Sequence, residues 1–349
     1  MILILSQDLW ESTTEEVMDW IVHLKGDVCR LNGEDLLGSN PLRFYMSNRE
    51  EPQFHLNLEG QEIDLEEINV VWFRRWYNYQ NLNFLDSIKH PNLKHSISKY
   101  MTYELNSLSR FLFRLLKDRY WLSDENSINV NKLHVLQSAK AMGLDIPATL
   151  VTNNKRQLTE FKNRCGRIIT KCIGEPDFFN YNKMNYGLYT EIIDDTALAL
   201  FPDVFFPCLV QEMLCKEYEI RVFYLDGDFY SMAIFSQEDK QTSVDFRKYN
   251  YERPNRLVPY NLPGPLKEKI TGLMKHLAFE TGSIDIVRTR DNRDVFLEIN
   301  PLGQFGMVSY PCNYYLEKKV AEFLIKKDNH EKEKKKTRTR TPGHITPTH

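Results

Sequence analysis

The sequence predicts an α/β (α+β) protein, because short apolar segments alternate with segments of helical period along most of its length. MILIL (1–5) reads as a first strand and 14–24 as the helix after it. INVVWFRRWY (68–77) reads as another strand with an abrupt basic end. From His95 to Lys117, Ile97, Met101, Leu105, Leu108, Leu112 and Leu115 recur at helical spacing. These elements predict an N-terminal α/β domain over residues 1–125.

A second unit begins near Asn126. Lys132–Met142 reads as a helix stopped by Gly143, followed by a strand at 148–152, a short helix near 156–164 and the strand RIITKCI (167–173). PCLVQEML (207–214) leads into strands at 219–227 and 229–237, with the hairpin signal Asp226-Gly227-Asp228 between them. Pro265 opens a helix with Leu266, Ile270, Leu273 and Leu277 on one face, and Gly282 closes it before the strands SIDIV and DVFLEIN. Beyond about Lys327 the chain is rich in Lys, Thr and Pro without an apolar pattern, so 328–349 is expected to be a disordered basic tail.

Composition narrows the function classes. The chain has 349 residues, 42% hydrophobic and 27% charged, in the globular range and long enough for two or three structural units. Net charge is −3; residues 326–349 hold eight Lys/Arg against three Asp/Glu, or +5, so the rest carries −8 and offers no nucleic-acid surface. The six cysteines form no CxxC pair and no HExxH occurs, which argues against zinc or redox chemistry. The nine histidines form no cluster and read as structural or solvated. No apolar run reaches the ~20 residues that span a bilayer, and MILIL lacks the preceding charge of a signal peptide. The expectation is a cytoplasmic protein, not bound to membrane, with reduced cysteines.

The final hairpin carries the first chemical signal. With Asp291-Asn292 as its two turn residues, partner positions sum to 583, so Arg290 faces Arg293 and Asp285 faces Glu298. Alternation puts Val295, Leu297 and Ile299 on one face and Phe296, Glu298 and Asn300 on the other. Opposed carboxylates repel unless a cation or proton lies between them. Asp285, Glu298 and Asn300 therefore form a hard oxygen set suited to Mg²⁺. On spacing alone, a solvated sheet face with incidental acids explains the same residues equally well.

The ending D…FLEINP (Asp285, Glu298, Asn300) resembles the metal-binding signature of the ATP-grasp superfamily. NKLHVLQSAKAMGLDIPATLVTNN (131–154) resembles the entry to that fold, TKCIG (170–174) its second lysine-bearing strand, and QEMLCKEYEIRVFYLDG (211–227) its adenine hinge, ribose-binding acid and following arginine. FSQ…VDFR (235–247) and VVWFRRWY (70–77) resemble the narrower group of peptide ligases that make microviridin-type crosslinks, the graspetide maturases, with the grasp-with-spasm subgroup most similar. The resemblance spans residues 1–325. It implies an N-terminal pre-ATP-grasp domain, a central ATP-grasp subdomain at 126–210 and a C-terminal one at 211–327. Glu219 stands where the superfamily often has Asp, and 173–190 lacks a Gly-rich phosphate loop.

The resemblance assigns roles residue by residue. Lys132 and Lys171 would neutralise ATP phosphates as point charges; Lys171 sits in an apolar strand, where an unpaired lysine is costly. Gln211, Glu212, Met213 and Leu214 would form the adenine hinge, and Glu219 would accept from ribose hydroxyls. Arg221 would stabilise phosphate charge, and Arg247 would face the acyl phosphate or the incoming nucleophile. Arg74 and Arg75 end an apolar strand, where they either hold an acidic substrate peptide or make structural ion pairs. The implied function is ATP- and Mg²⁺-dependent closure of ω-ester or ω-amide crosslinks between Asp/Glu and Thr/Ser or Lys of a precursor peptide with a leader segment. It implies a homodimer and no covalent nucleophile. Two rivals stand beside it. A ligase that adds a free amino acid is disfavoured by FSQ…VDFR and FRRWY. A non-catalytic nucleotide-binding protein is disfavoured by the intact Asp285/Glu298/Asn300 set.

Overall fold

The computed structural model describes residues 1–9, 11–37, 42–50, 53–58, 61–77, 79, 83–128, 130–174, 178–181, 184–187, 189–237, 252 and 254–339. The chain forms two compact units, one of residues 1–125 with 315–349 and one of 126–314.

The first unit begins with β1 (Ile2–Ser6), α1 (Ser12–His23), β2 (Val28–Asn32), β3 (Leu42–Tyr45), β4 (Gln53–Leu58), β5 (Gln61–Ile63), β6 (Val70–Phe73), α2 (Pro91–Leu115) and β7 (Tyr120–Trp121). A parallel sheet runs in the order β2-β1-β6-β7, and β3-β4-β5 form a small antiparallel sheet. Every residue of β1 and β6 is buried, the signature of parallel strands covered on both faces. β6 ends at Phe73, well short of the Tyr77 predicted from sequence. Its partner β1 runs out at Ser6, and beyond Phe73 the Arg74 and Arg75 amides both fall on the one Leu5 carbonyl, at 2.9 and 3.4 Å.

In the second unit a short α3 (Glu125–Ile128) at the boundary precedes α4 (Lys132–Ala141), β8 (Thr149–Asn154), α5 (Lys155–Cys165), β9 (Ile168–Lys171), β10 (Phe178–Tyr181), β11 (Met184–Gly187), β12 (Glu191–Ile192), α6 (Asp195–Leu200) and β13 (Val204–Glu212). There follow β14 (Lys216–Leu225), β15 (Asp228–Phe235), β16 (Arg256–Tyr260), α7 (Gly264–His276), β17 (Thr281–Thr289), β18 (Asp294–Asn300) and α8 (Gly306–Cys312). Two larger antiparallel sheets result, β12-β9-β13-β8 and β16-β15-β14-β17-β18, beside the two-stranded β10-β11. The first packs Val210 and Ile168 on Leu158 and Phe161 of α5. The second packs Ile220, Val222, Ile284, Ile286, Phe296 and Ile299 on α4 and α7 through Val135, Leu136, Ile270 and Leu273. Asp226 and Gly227, both at positive φ, close the β14–β15 hairpin, the two-residue turn whose twist suits flanking strands. The antiparallel pair β10 and β11 lies inside 173–190, the segment that lacks a Gly-rich phosphate loop.

The tail departs most from expectation. Residues 328–339 are not disordered: α9 (Leu316–Thr339) runs through them and belongs to the first unit, so that unit reclaims the chain from 315, inside the span predicted as the C-terminal subdomain. Leu316, Val320, Ala321 and Leu324 form its buried stripe, and Asp328 extends that stripe by one more turn at 3% exposure. Asn69 donates to Asp328 Oδ1 at 2.7 Å, and Lys332 sits 2.7 Å from Oδ2. These partners hold the Asp328 carboxyl below its ordinary pKa against the opposing effect of burial. An aspartate ended the apolar pattern in sequence, yet in space it is the helix's last core contact.

Truncation after Lys327 is therefore expected to destabilise the protein, because it strands the Asn69 amide at about 1–3 kcal/mol. Thermal unfolding should fall by several degrees; an unchanged midpoint would restore the disordered tail.

Candidate active site

The chain crosses between the two sheets of the second unit through Met213–Cys215, which join β13 to β14. A cleft opens there, lined by Ile169, Lys171, Leu214, Glu219, Asp285 and Glu298 among others. On β14, Glu219 pairs with Val287 and Arg221 with Asp285 of β17; Asp285 in turn pairs with Glu298 of β18. All five share the face opposite the α4/α7 core.

The Asp285–Glu298 register matches the sequence prediction, but by a different route. Near the turn, Thr289 rather than Arg290 pairs with Arg293, and partner sums are one lower than predicted: Arg288 faces Asp294 and Ile286 faces Phe296. A bulge at Leu297 absorbs the difference, and Asp285, Ile284 and Ser283 then pair with Glu298, Ile299 and Asn300. The predicted alternation fails at the same point. Phe296 lies in the core with Ile299, while Leu297 and Glu298 both line the cleft. A bulge breaks the two-residue period and re-aims the side chains after it.

Charges in the cleft are tightly matched. Lys132 Nζ and Lys171 Nζ each lie 3.9 Å from Glu298 Oε2. Lys132 is the first residue of α4, whose start is fixed by Asn131 Oδ1 accepting from the Leu133 and His134 amides. A cation at a helix N-terminus opposes the macrodipole, and the nearby carboxylate offsets that cost. Lys171 ends β9 on the face shared with Ile169. Arg221 Nη1 donates to Asp285 Oδ2 at 2.6 Å, with side chains 6% and 15% exposed. The buried Arg221 Nε has no hydrogen-bond partner among the described residues. Lys216 Nζ lies 2.6 Å from Glu219 Oε1, and Ser236 Oγ donates to Glu219 Oε2.

The hinge is anchored at both ends. Gln211 donates to Thr149 Oγ1, the Glu212 carboxylate accepts from the Ala148 amide, and the Glu212 amide returns to the Ala148 carbonyl. The Met213 amide is bonded to Arg167 O. Of the amides at 212–214, that of Leu214 is the one without a protein acceptor among the described residues.

Two carboxylates and the Asn300 amide oxygen, itself oriented by the Leu302 N–H at 3.1 Å, make an all-oxygen donor set that fits Mg²⁺ completed by phosphate and water. Among the described residues no cluster of three or more His, Cys, Asp or Glu suits a metal. The cations Lys132, Lys171, Lys216 and Arg221 balance Glu212, Glu219, Asp285 and Glu298. A polyphosphate entering this neutral cleft needs divalent cations as companions.

The remaining candidates lie elsewhere. Arg74 is buried in the first unit, over the Trp72 ring and beside Thr14 Oγ1, with Glu11 Oε2 at 3.8 Å; burial pulls its pKa down to about 10. Arg75 Nε lies 2.5 Å from Glu11 Oε1 as an ion pair and keeps an exposed edge. Both arginines thus make ion pairs with Glu11. Arg247 lies outside the described residues. Lys216 and Ser236 were missed by the sequence reading, although both fall within the quoted motifs. No helix among the described residues is long and apolar enough to cross a membrane.

No family model matches the chain, and no curated protein matches it in sequence. Solved structures do match. The Chryseobacterium gregarium RiPP-associated ATP-grasp ligase, in complex with ADP and a leader and core peptide, superposes with TM-score 0.78 at 23% identity, covering 93% of this chain and 95% of that one. The macrocyclase MdnC from Microcystis aeruginosa MRC, bound with precursor peptide MdnA, gives TM-score 0.78 at 22% identity over 93% and 99%. The ATP-grasp ligase PsnB, complexed with minimal precursor, Mg and ADP, gives 0.72 at 15% over 94% and 97%. The chain has the ATP-grasp fold. Coverage above nine-tenths of both chains extends this likeness to the first unit as well as to the two ATP-grasp sheets.

Removing one member of the Arg221–Asp285 pair should cost more stability than removing both. Asp285→Ala leaves an enclosed guanidinium without its carboxylate, at about 3–5 kcal/mol. Asp285→Ala with Arg221→Met should recover part of that loss in denaturant unfolding; simple additivity would mean the pair is not coupled.

Proposed function

We propose that this protein is an ATP-dependent peptide maturase. It activates an Asp or Glu side chain of a ribosomal precursor peptide as an acyl phosphate and closes an intramolecular ω-ester or ω-amide with a Thr/Ser hydroxyl or Lys amine. The observation that carries this reading is Glu298, opposed to Asp285 and approached by both Lys132 and Lys171, in the cleft of an ATP-grasp fold. Three solved proteins of that fold and of matching length carry ADP or a precursor peptide, and one of them Mg. FSQ…VDFR and VVWFRRWY point to the same peptide-modifying group.

Each residue then has a task. The Leu214 amide and the Glu212 carbonyl meet the adenine edge, and Glu219 accepts from the ribose. Lys132 and Lys171 turn from Glu298 to the phosphates. Mg²⁺, held by Asp285, Glu298 and Asn300, supplies charge neutralisation at the phosphate oxygens. Arg221, with Nε in reserve, stabilises the oxygens of the transferring group. The peptide carboxylate attacks the γ-phosphorus, the bond to the β-phosphate oxygen breaks, and ADP leaves. The hydroxyl or amine then attacks the acyl carbon, its proton is lost, and inorganic phosphate departs. Arg247 is assigned to this second step. Arg75, through its exposed edge, is the better of the two N-terminal arginines for an acidic peptide. Catalysis is by positioning and charge neutralisation, so no nucleophilic side chain is required.

Incubation with the cognate precursor, ATP and Mg²⁺ should lower the peptide mass by one water for each ADP released. An amino-acid adduct would instead identify a free-amino-acid ligase. No ATP-dependent mass change would identify a nucleotide-binding protein without this activity.

A further inference from the structure

Glu219 is held from both sides, and the residue that holds it opposite Lys216 is Ser236. The β14–β15 register pairs Glu219 with Ile234, so Ser236 is the diagonal neighbour two residues on, on the same face. Ser236 is fully buried and donates through Oγ to Glu219 Oε2, and Gln237 Nε2 donates to the same Oγ at 3.1 Å. On the other side, Lys216 is three residues before Glu219, a spacing that puts two residues on opposite faces of a regular strand. A register shift between Lys216 and Tyr218 breaks the period and brings Lys216 Nζ to 2.6 Å from Glu219 Oε1. Both carboxylate oxygens are thus fixed, in a residue 5% exposed that lines the cleft.

Resting on the nucleotide site proposed above, we infer that Ser236, supported by Gln237, is a positioning residue for ribose recognition. Each carboxylate oxygen offers two acceptor directions. Ser236 takes one of those on Oε2 and Lys216 one of those on Oε1, which leaves the carboxylate in a single orientation with one acceptor on each oxygen for a vicinal pair of hydroxyls. Without Ser236 the group rotates about its last bond, and the paired presentation is lost while its charge is kept. Ser236 therefore governs discrimination between ribo- and deoxynucleotides and has little bearing on the phosphates.

The test is calorimetric titration of the full chain with ATP, 2′-deoxy-ATP and 3′-deoxy-ATP in Mg²⁺. The unaltered protein should prefer ATP over each deoxynucleotide by about tenfold or more, the scale of one hydrogen bond to a charged group. Ser236→Ala should bind ATP several-fold more weakly and lose most of that preference, leaving its affinity for 2′,3′-dideoxy-ATP unchanged. Ser236→Thr, which keeps the hydroxyl, should restore the preference. Gln237→Leu, which leaves Ser236 in place without its donor, should give an intermediate ratio and serves if the alanine variant does not fold. An undiminished preference in Ser236→Ala, or in Gln237→Leu if that variant alone folds, would overturn the inference while sparing the nucleotide site. Failure of the unaltered protein to bind ATP would overturn the proposed function and this inference with it.

Discussion

Two carboxylates face each other across adjacent strands, and the rest of the second unit answers to that repulsion. At the roughly 5 Å that separates directly opposed Cβ atoms, ionised Asp285 and Glu298 are tolerable only with cations between or beside them. The fold supplies three from separate elements: Lys132 from a helix start, Lys171 from a strand of the other sheet and Arg221 from the strand next door. Such an arrangement is poised for exchange. In the function proposed above, the lysines beside Glu298 would turn to the phosphate chain, and a divalent ion would replace them on the carboxylates they leave.

Two irregularities in otherwise regular strands make this possible. The bulge at Leu297 lets β18 bury Phe296 and Ile299 on one face while aiming Glu298 into the cleft. The shift beside Glu217 turns Lys216 onto the face of Glu219. Bulges concentrate beside functional sites because they redirect one side chain without moving the sheet. In a perfectly alternating β18, Phe296 would share the polar face with Glu298, and the core over α4 and α7 would lose its central aromatic.

Much of this was legible in the sequence, and the parts that were not have physical reasons. Alternating segments gave the order of strands and helices, and Lys171, Glu212, Leu214, Glu219, Asp285 and Glu298 line one cleft, with Lys132 and Arg221 beside its carboxylates. The Asp285–Glu298 pairing was read correctly from a turn placed one residue out of register, because the unforeseen bulge compensates. Bulges leave no local pattern, since one inserted residue of any type will serve. Lys216 was passed over because its spacing from Glu219 is wrong for a regular strand. Asp328 misled for a related reason: apolar periodicity cannot register a polar residue whose partners, among them the Met1 ammonium, Asn69 just before β6 and Lys332, come from distant parts of the chain and the next turn. For Arg74 and Arg75 the sequence left two readings open, because their ion-pair partner, Glu11, lies far away in sequence.

The central claim is that the opposed carboxylates are a metal seat whose lysines move to phosphate. Diffraction from crystals grown with Mn²⁺ and a non-hydrolysable ATP analogue tests it directly through the anomalous signal of manganese. The account predicts a peak within bonding distance of Asp285, Glu298 and Asn300 oxygens, with Lys132 and Lys171 on the phosphates. A peak elsewhere, with both lysines still on Glu298, would contradict it.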